Sequence, residues 1–240
     1  MSAPSLEVIR WGRERARSGS WRGDPQIAYL APAPDAPPPS APFVLRCLDT
    51  LASRGFTRVV TGALGPLEQA GFLAAGFDIS ERLHLLGIDL DDELPALPAG
   101  ARLARAGHRR RGVVLAIDHH AFSQFWQFDA DGLTDALHAT PHTRFRVALD
   151  GPTIAGYAIC GRAGGRGFVQ RLAVDPARHR QGLGRRLLLD GLHWLRRRRV
   201  RHAVVNTQTG NLAALALYRQ VGFVDEPTGL IVLSVDLARS

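Results

Sequence analysis

The second half of the chain, from residue 101 onward, carries two hydrophobic rhythms. Apolar residues recur at helical spacing over three segments, which predicts helices at 113–122, 187–195 and 212–221. Apolar or alternating runs predict strands at 145–149, 153–160, 168–174, 202–207 and 230–237. Asp150-Gly151 indicates a hairpin turn between the first two strands, and Gly222 suits a helix C-cap. Strands interleaved with helices predict an α/β (α+β) fold, a sheet flanked by helices.

The first half carries a weaker copy of this ending. Its pattern predicts two helices and two strands, with Gly76-Phe77 where the second half has Gly222-Phe223; these elements lie at 43–53, 56–61, 66–75 and 83–90. The correspondence indicates a degenerate internal repeat. The proline-rich stretch 31–42 is incompatible with a helix or a central strand, and 91–100 combines acidic residues, prolines and a glycine. We therefore expect a domain over 1–95 and a second over 100–240.

Charge and cysteine content narrow the function classes. The net charge is +8, and all 30 basic residues are Arg, a balance that suits nucleic acid or a phosphate-bearing cofactor. The long basic run at 196–199 follows an amphipathic stretch, so a solvated helix end is favoured over a nucleic-acid patch. Cys47 and Cys160 lie in apolar runs and suit buried thiols. Without a signal peptide or a bilayer-spanning run, we expect a soluble, cytoplasmic protein with no nucleic-acid or membrane partner.

The segment 172–188 holds the strongest candidate for chemistry. A predicted strand runs into a loop with Gly182 and Gly184, and the loop opens a helix. Helix starts expose unpaired amides that suit phosphate oxygens, and glycines let the backbone approach an anion. Arg180, Arg185 and Arg186 add positive charge. The spacing is neither that of a P-loop nor that of a dinucleotide fingerprint, and an ordinary strand-to-helix turn remains the alternative.

About thirty residues later, the motif 211–223 resembles the GNAT superfamily of acyl-CoA N-acyltransferases. Asn211, Ala214, Leu217, Tyr218, Gly222 and Phe223 match the family pattern N-x-x-A-x-x-L-Y-x-x-x-G-F. Gly182 and Gly184 match its phosphate motif, [Q/R]-x-x-G-x-[G/A], whose leading position is His179 here. The resemblance covers roughly residues 100–240. It implies a mixed, mostly antiparallel sheet that is splayed between two central parallel strands, 168–174 and 202–207.

The resemblance also implies acetyl-CoA as the cosubstrate. Its pantetheine arm is expected between the splayed strands and its pyrophosphate on the amides of the loop. The implied cofactor-binding residues are Leu172, Ala173, Val174, His179, Arg180, Gln181, Gly182, Leu183, Gly184, Arg185 and Asn211. Tyr218 is the implied general acid for the leaving thiolate, because a phenol can protonate a thiolate. The alternative for Tyr218 is a buried helix tyrosine with a satisfied hydroxyl.

The general base and the acceptor site are less well marked. Some relatives carry a glutamate base at the position of Asn206, and others carry one on the strand that here shows Gln170 and Arg171. Neither base is present, so a water chain, or a carboxylate or imidazole elsewhere, stays open as the route for the proton. The acceptor wall is expected at 118–129, where acidic and aromatic side chains suit a cationic amine, although the aromatics also suit core packing. The expected substrate-binding residues are Asp118, Phe122, Trp126, Asp129, Gln170 and Asn206. The pair His119-His120 has no third ligand nearby, and no metal is expected.

These observations favour an N-acetyltransferase that acts on a primary amine of a small molecule or a peptide. A non-catalytic acyl-CoA sensor or interaction module is the alternative, and a nucleic-acid binder is a third. In the N-terminal copy, Phe72 replaces Tyr218 and Gly65 replaces Asn211. That half is therefore expected to bind no CoA; completing the sheet, walling the acceptor site or forming a homodimer are the roles open to it.

Overall fold

The structure, a computed structural model, describes residues 6–34 and 36–237. Its strands are β1 (Glu7–Trp11), β2 (Glu14–Trp21), β3 (Asp24–Pro32), β4 (Arg58–Thr61), β5 (Asp78–Asp89), β6 (Arg102–Arg105), β7 (His142–Asp150), β8 (Thr153–Ala163), β9 (Arg166–Val174), β10 (His202–Gln208), β11 (Val224–Asp225) and β12 (Leu230–Asp236). Its α-helices are α1 (Ala41–Ser53), α2 (Pro66–Ala74), α3 (Arg111–Ala121), α4 (Ala130–His138), α5 (Leu183–Arg197) and α6 (Leu212–Val221). None of the helices in these ranges is both long and apolar enough to span a membrane.

The chain forms two compact units that divide at a different place from the expected boundary at 91–100. The first unit runs to His84 and includes Gln208–Gly210 and the chain from Pro227 onward. The second unit consists of Leu85–Thr207 and Asn211–Glu226. The domains 1–95 and 100–240 therefore do not coincide with the units: β5 contributes to both, and β12 belongs to the first. Long-range strand pairing decides this division, and a linear hydrophobic pattern does not carry that information.

The first unit is a sheet on which the helices α1 and α2 pack to form a core. Its strand order is β1-β2-β3-β4-β12-β5, in which β3 and β4 run parallel and the other neighbours antiparallel. Its core joins α1 and α2 to alternate strand residues, among them Leu30, Val59 and Leu233. None of the strands β1–β3 is predicted from the sequence pattern, and β3 extends into the proline-rich stretch as far as Pro32.

The two halves repeat a helical motif, as the sequence predicts. Gly65 and Asn211 are the N-caps of α2 and α6, and each helix is followed by a left-handed glycine, with φ of 90° at Gly76 and 109° at Gly222. The ring centroids of Phe72 and Phe77 are 5.1 Å apart, and those of Tyr218 and Phe223 are 5.7 Å apart. The degenerate internal repeat is thus confirmed.

The second unit is a mixed sheet with helices on both faces, as the fold class predicts. Its strand order is β5-β10-β9-β8-β7-β6, with β11 beside β5. Tyr157 and Ile159 pack with α3 and α4, whereas Cys160, which alternates with them along β8, packs with α5. The helices predicted at 113–122, 187–195 and 212–221 are α3, α5 and α6, while β6 and α4 are additional elements. The basic run ends α5, with Arg196 and Arg197 in its last turn, as expected.

Candidate active site

The central parallel strands of the second unit separate partway along their length. β9 and β10 pair from Arg166↔His202 to Val169↔Val205, and no later residues of the two strands pair in the ranges that the structure describes. At the same level, the register between β8 and β9 shifts, because Cys160 pairs with Val169 and Ile159 pairs with Arg171. Gln170 is therefore a β-bulge residue where the strands diverge. We call this place the fork, defined by Val169, Gln170 and Val205.

The N-terminus of α5 follows the end of β9 and presents unpaired amides. Gly182 is the N-cap with φ of 75°, a conformation that favours glycine, and no side chain caps this helix. Arg186 donates its amide to the Gly182 carbonyl at 3.0 Å, so the amides of 183–185 belong to the first turn. A Cβ at Gly182 would meet nothing within 4 Å, so the space beside this residue is open. This turn can hold an anion.

Other residues of the expected cofactor site lie in the loop before α5 and at the start of α6. The Nε2 of His179 lies 3.1 Å from the Val174 carbonyl, so the ring contacts the end of β9. Asn211 caps α6, since its Oδ1 accepts the Ala214 amide at 3.2 Å. A Cβ at Gly184 would lie 3.3 Å from Leu217 Cδ2, so this glycine allows α5 and α6 to approach closely. Arg180 and Gln181 are exposed in the loop, and Leu183 is buried.

Tyr218 projects from α6 into the core beside the fork. Tyr218 is 6% exposed and packs in the core cluster that contains Cys160 and Val169. Burial raises the pKa of the Tyr218 hydroxyl, the nearby Cys160 thiol raises it further, and the Arg171 guanidinium lowers it. The phenol is thus protonated at neutral pH and has two groups that flank the bulge as electrostatic neighbours.

The environment of Asp118 contradicts the prediction that this residue binds a substrate amine. The side chain is fully buried, and its carboxylate is saturated by protein donors. Arg171 donates Nε–H to Oδ2 at 2.8 Å and Nη2–H to Oδ1 at 2.9 Å, the Phe128 amide donates to Oδ1 at 2.6 Å, and the Tyr157 hydroxyl donates to Oδ2. Since a buried carboxylate with four donors is a structural anchor, Asp118 is not available to an amine.

The remaining expected acceptor residues lie in two groups. Phe122 and Trp126 belong to the segment 122–128 between α3 and α4, and Asp129 follows it as the N-cap of α4, accepting the Gly132 amide at 2.6 Å. Gln170 and Asn206 lie at the fork; the Gln170 Oε1 is buried and has no hydrogen-bond partner among the described residues, and Asn206 is exposed. Tyr157, which donates to Asp118, lies in an apolar strand, and nothing in the sequence pattern indicates this bond.

Few carboxylates are buried in the part of the chain that the structure describes. Of the Asp and Glu residues that the structure describes, only Asp118 and Asp190 are buried. Asp190 accepts Nε–H and Nη2–H of Arg144, both at 2.8 Å, so each of the two is held in an ion pair. No cluster of three or more His, Cys, Asp or Glu side chains in the described part of the chain is arranged to hold a metal ion.

The corresponding place in the first unit is closed by the protein itself. β3 and β4 pair along the whole length of β4, from Ile27↔Arg58 to Leu30↔Thr61. The N-cap of α1 is Ser40, whose amide lies 2.5 Å and whose hydroxyl lies 3.1 Å from the Glu14 carboxylate. A side-chain carboxylate therefore occupies the N-terminal end of α1, where the helix dipole favours a negative charge.

Comparisons with known proteins identify the family of this chain. Residues 108–223 match the Acetyltransferase (GNAT) family. A mycothiol acetyltransferase from Thermobispora bispora is 30% identical over 82% of this chain and 75% of its own length. Another, from Amycolatopsis mediterranei, is 31% identical over 77% of this chain and 67% of its own length. The N-alpha-acetyltransferase RimI from Mycobacterium tuberculosis is 42% identical over 35% of this chain and 54% of its own length.

A solved structure shares the fold along the whole chain. It is a tandem GNAT protein from the clavulanic acid biosynthesis pathway, with a TM-score of 0.72 over 100% of this chain and 86% of its own, at 16% identity. Across the three sequence relatives, the match spans 54% to 75% of their own length. With its family match, its relatives and its repeated fold, this chain belongs to the GNAT family of N-acetyltransferases.

Proposed function

We propose that the second unit is an acetyl-CoA-dependent N-acetyltransferase that acts on a primary amine, with Tyr218 as the general acid. One observation carries this proposal. The fork opens between β9 and β10 at the bulge residue Gln170, and the uncapped start of α5 follows the same β9 strand. A backbone-lined slot that ends in an anion-binding helix terminus suits an extended pantetheine arm with a diphosphate.

The residues present fit this cosubstrate. The amides of Leu183, Gly184 and Arg185 would hold the diphosphate, and the exposed Arg180 side chain adds charge to the same loop. Leu172, Ala173 and Val174 extend β9 beyond its last pair with β10, so their backbone would hydrogen-bond the pantetheine amides. Asn211 uses only its Oδ1 as a cap, which leaves its amide nitrogen to donate. Acetyl-CoA supplies the acetyl group as an activated thioester.

The fork also provides groups for the chemistry of acyl transfer. The amine nucleophile must be held against the carbonyl carbon while negative charge develops on the carbonyl oxygen. Backbone amides at the bulge, between Gln170 and Leu172, would stabilise that oxygen. Tyr218 would donate its proton to the departing thiolate. Burial raises the pKa of this phenol, and the same apolar surroundings raise the basicity of a thiolate that forms beside it.

Some relatives use a glutamate as the base that removes the proton of the amine, and this chain needs a different route. Both buried carboxylates of the described chain are ion-paired, so neither can serve as the base. We propose that the amine binds in its neutral form and that water receives its proton at the open side of the fork, past Asn206. This mechanism predicts a rate that follows the fraction of neutral amine.

The proposal is tested by following CoA release with a panel of amines: an α-amine, a lysine side chain, a polyamine, an amino sugar and an amino acid. We expect amine-dependent release of free thiol, and a loss of about 10- to 100-fold in kcat for Tyr218→Phe with little change in acetyl-CoA affinity. Tyr29→Phe, in the first unit, is the matched control. Unchanged turnover in Tyr218→Phe would remove this phenol from the mechanism.

A non-catalytic acyl-CoA sensor is the second candidate, because the fork has no buried carboxylate that is able to accept a proton. It shares the binding site with the enzyme and differs only in turnover. Saturable binding of acetyl-CoA with no thiol release for any amine of the panel would favour the sensor over the enzyme.

A further inference from the structure

We infer that Arg171, paired with Asp118, is a positioning residue that holds the segment 122–128 as the wall of the acceptor pocket. The inference rests on the proposed function and adds to it a residue that controls how the amine is presented at the fork. Arg171 lies on β9 next to the bulge residue Gln170, and its guanidinium contacts Phe122, Trp126 and Phe128. It therefore joins the strand at the fork to the segment that follows α3.

The segment folds around the guanidinium of Arg171. The Arg171 Cζ lies 3.5 Å from the ring centroid of Phe122 and 4.1 Å from that of Phe128, so the cation contacts an aromatic ring at each end of the segment. Its Nη2 donates to the Trp126 carbonyl at 2.6 Å in the middle of the segment. One side chain thus contacts three points of a stretch that has no strand partner.

Asp118 completes the anchor from the helix that precedes the segment. It lies on α3, accepts the bidentate pair from Arg171 and also accepts the Phe128 amide at 2.6 Å. Two further bonds tie the segment to the end of α3, since the His119 ring lies 2.7 Å from the Phe128 carbonyl and Gln127 donates to the His119 carbonyl at 3.0 Å. The conformation of 122–128 therefore depends on an ion pair between residues 53 positions apart.

A second ion pair in the same unit provides a matched comparison. Arg144 and Asp190 form an equally short bidentate pair, but on the opposite face of the sheet, where it joins β7 to the middle of α5. Arg146 on β7 is a second cation beside this carboxylate, with its Nε 3.5 Å from Asp190 Oδ2, and its side chain is 27% exposed. Both pairs are largely buried, with Arg171 10% exposed and Arg144 18% exposed as side chains. The Arg144 pair joins two regular elements, whereas the Arg171 pair holds an irregular segment, so only the latter bears on the acceptor wall.

The test compares the neutral double variants D118N/R171Q and D190N/R144Q, because a single substitution would leave an unpaired buried charge. Each is measured for amide hydrogen exchange over 122–128, for acetyl-CoA affinity and for kinetics with the amine that wild-type enzyme acetylates. For D118N/R171Q we expect exchange in 122–128 to accelerate about tenfold or more. We expect acceptor KM to rise about tenfold while acetyl-CoA affinity stays within about twofold. For D190N/R144Q we expect lower thermal stability with acceptor KM and segment exchange near wild type.

The outcomes separate this inference from the proposed function. If wild type acetylates an amine but D118N/R171Q keeps wild-type acceptor KM, or if 122–128 exchanges no faster in it, the positioning role is refuted. An equal rise of acceptor KM in both double variants would also refute it, because that result marks general destabilisation. If no amine is acetylated by wild type, the proposed function fails, and the exchange of 122–128 alone then decides whether Arg171 holds the segment.

Discussion

Replacing Gly182 with alanine tests whether the start of α5 holds the diphosphate. Gly182 has φ of 75°, and an added Cβ would meet no atom within 4 Å, so the substitution introduces backbone strain and no clash. A left-handed conformation costs a non-glycine residue about 1–2 kcal/mol. We expect the turn to relax in order to avoid this cost, which reorients the amides of 183–185. Losing one charge-assisted hydrogen bond to a phosphate costs about 1.5–3 kcal/mol, or at least about a tenfold loss of CoA affinity.

The assay is thermal unfolding with and without CoA, and Gly151→Ala is the matched control. Gly151 has φ of 57° in the β7–β8 hairpin, and a Cβ there would also meet no atom within 4 Å. Both variants should therefore lose a similar amount of stability without ligand. At 100 times the wild-type dissociation constant, CoA stabilises by about 2.7 kcal/mol, and a tenfold weaker site retains about 1.4 kcal/mol.

We expect this reduced stabilisation in Gly182→Ala and full stabilisation in Gly151→Ala. If CoA protects the two variants equally, the amides of this turn do not bind the diphosphate, and the reasoning from helix geometry is refuted.

Three further predictions follow from burial, pKa and capping. Because burial raises the pKa of the Tyr218 hydroxyl, this acid stays protonated above the ordinary tyrosine pKa of about 10. We therefore expect kcat not to fall between about pH 7 and pH 9.5. A decline of kcat with a midpoint near pH 8 would exclude Tyr218 as the acid. Burial raises the pKa of Cys47 and of Cys160 to about 12. Iodoacetamide at about pH 8 should therefore modify neither thiol in the folded protein and both thiols in guanidinium, as read by mass spectrometry. Labelling of either thiol in the folded protein would contradict their burial. Ser40→Ala removes the α1 cap and should cost about 1 kcal/mol in denaturant unfolding with CoA affinity unchanged in a titration; altered affinity would show that the first unit contributes to the site.

Local signals were sufficient to predict the elements that carry the candidate chemistry. α6 was predicted at its observed bounds, because apolar residues recur at helical spacing and Gly222 marks the end of the helix; the structure adds Asn211 as its N-cap. The turn before α5 was predicted from Gly182 and Gly184, although the helix begins at Leu183, four residues before the predicted start at 187. By contrast, β2 alternates Arg15 and Arg17 with the small residues Ala16 and Ser18, and such a strand has too little hydrophobic contrast to be recognised.

Long-range partners explain the remaining differences. Asp118 is a charged helix residue between apolar Ile117 and His119 in sequence, and only the fold brings Arg171 and Tyr157 to it. In the same way, β12 follows the second repeat in sequence, but its pairing with β4 places it in the first unit. A sequence pattern records which residues are apolar, and it does not record which distant residue neutralises a buried charge.

The most direct test of the account is the release of free CoA from acetyl-CoA by the whole chain, measured with a thiol reagent across the amine panel. The account predicts saturable release that depends on at least one amine and that falls about 10-fold or more in Tyr218→Phe but not in Tyr29→Phe. Saturable binding of acetyl-CoA without release for any amine, or equal release by Tyr218→Phe and wild type, would contradict it.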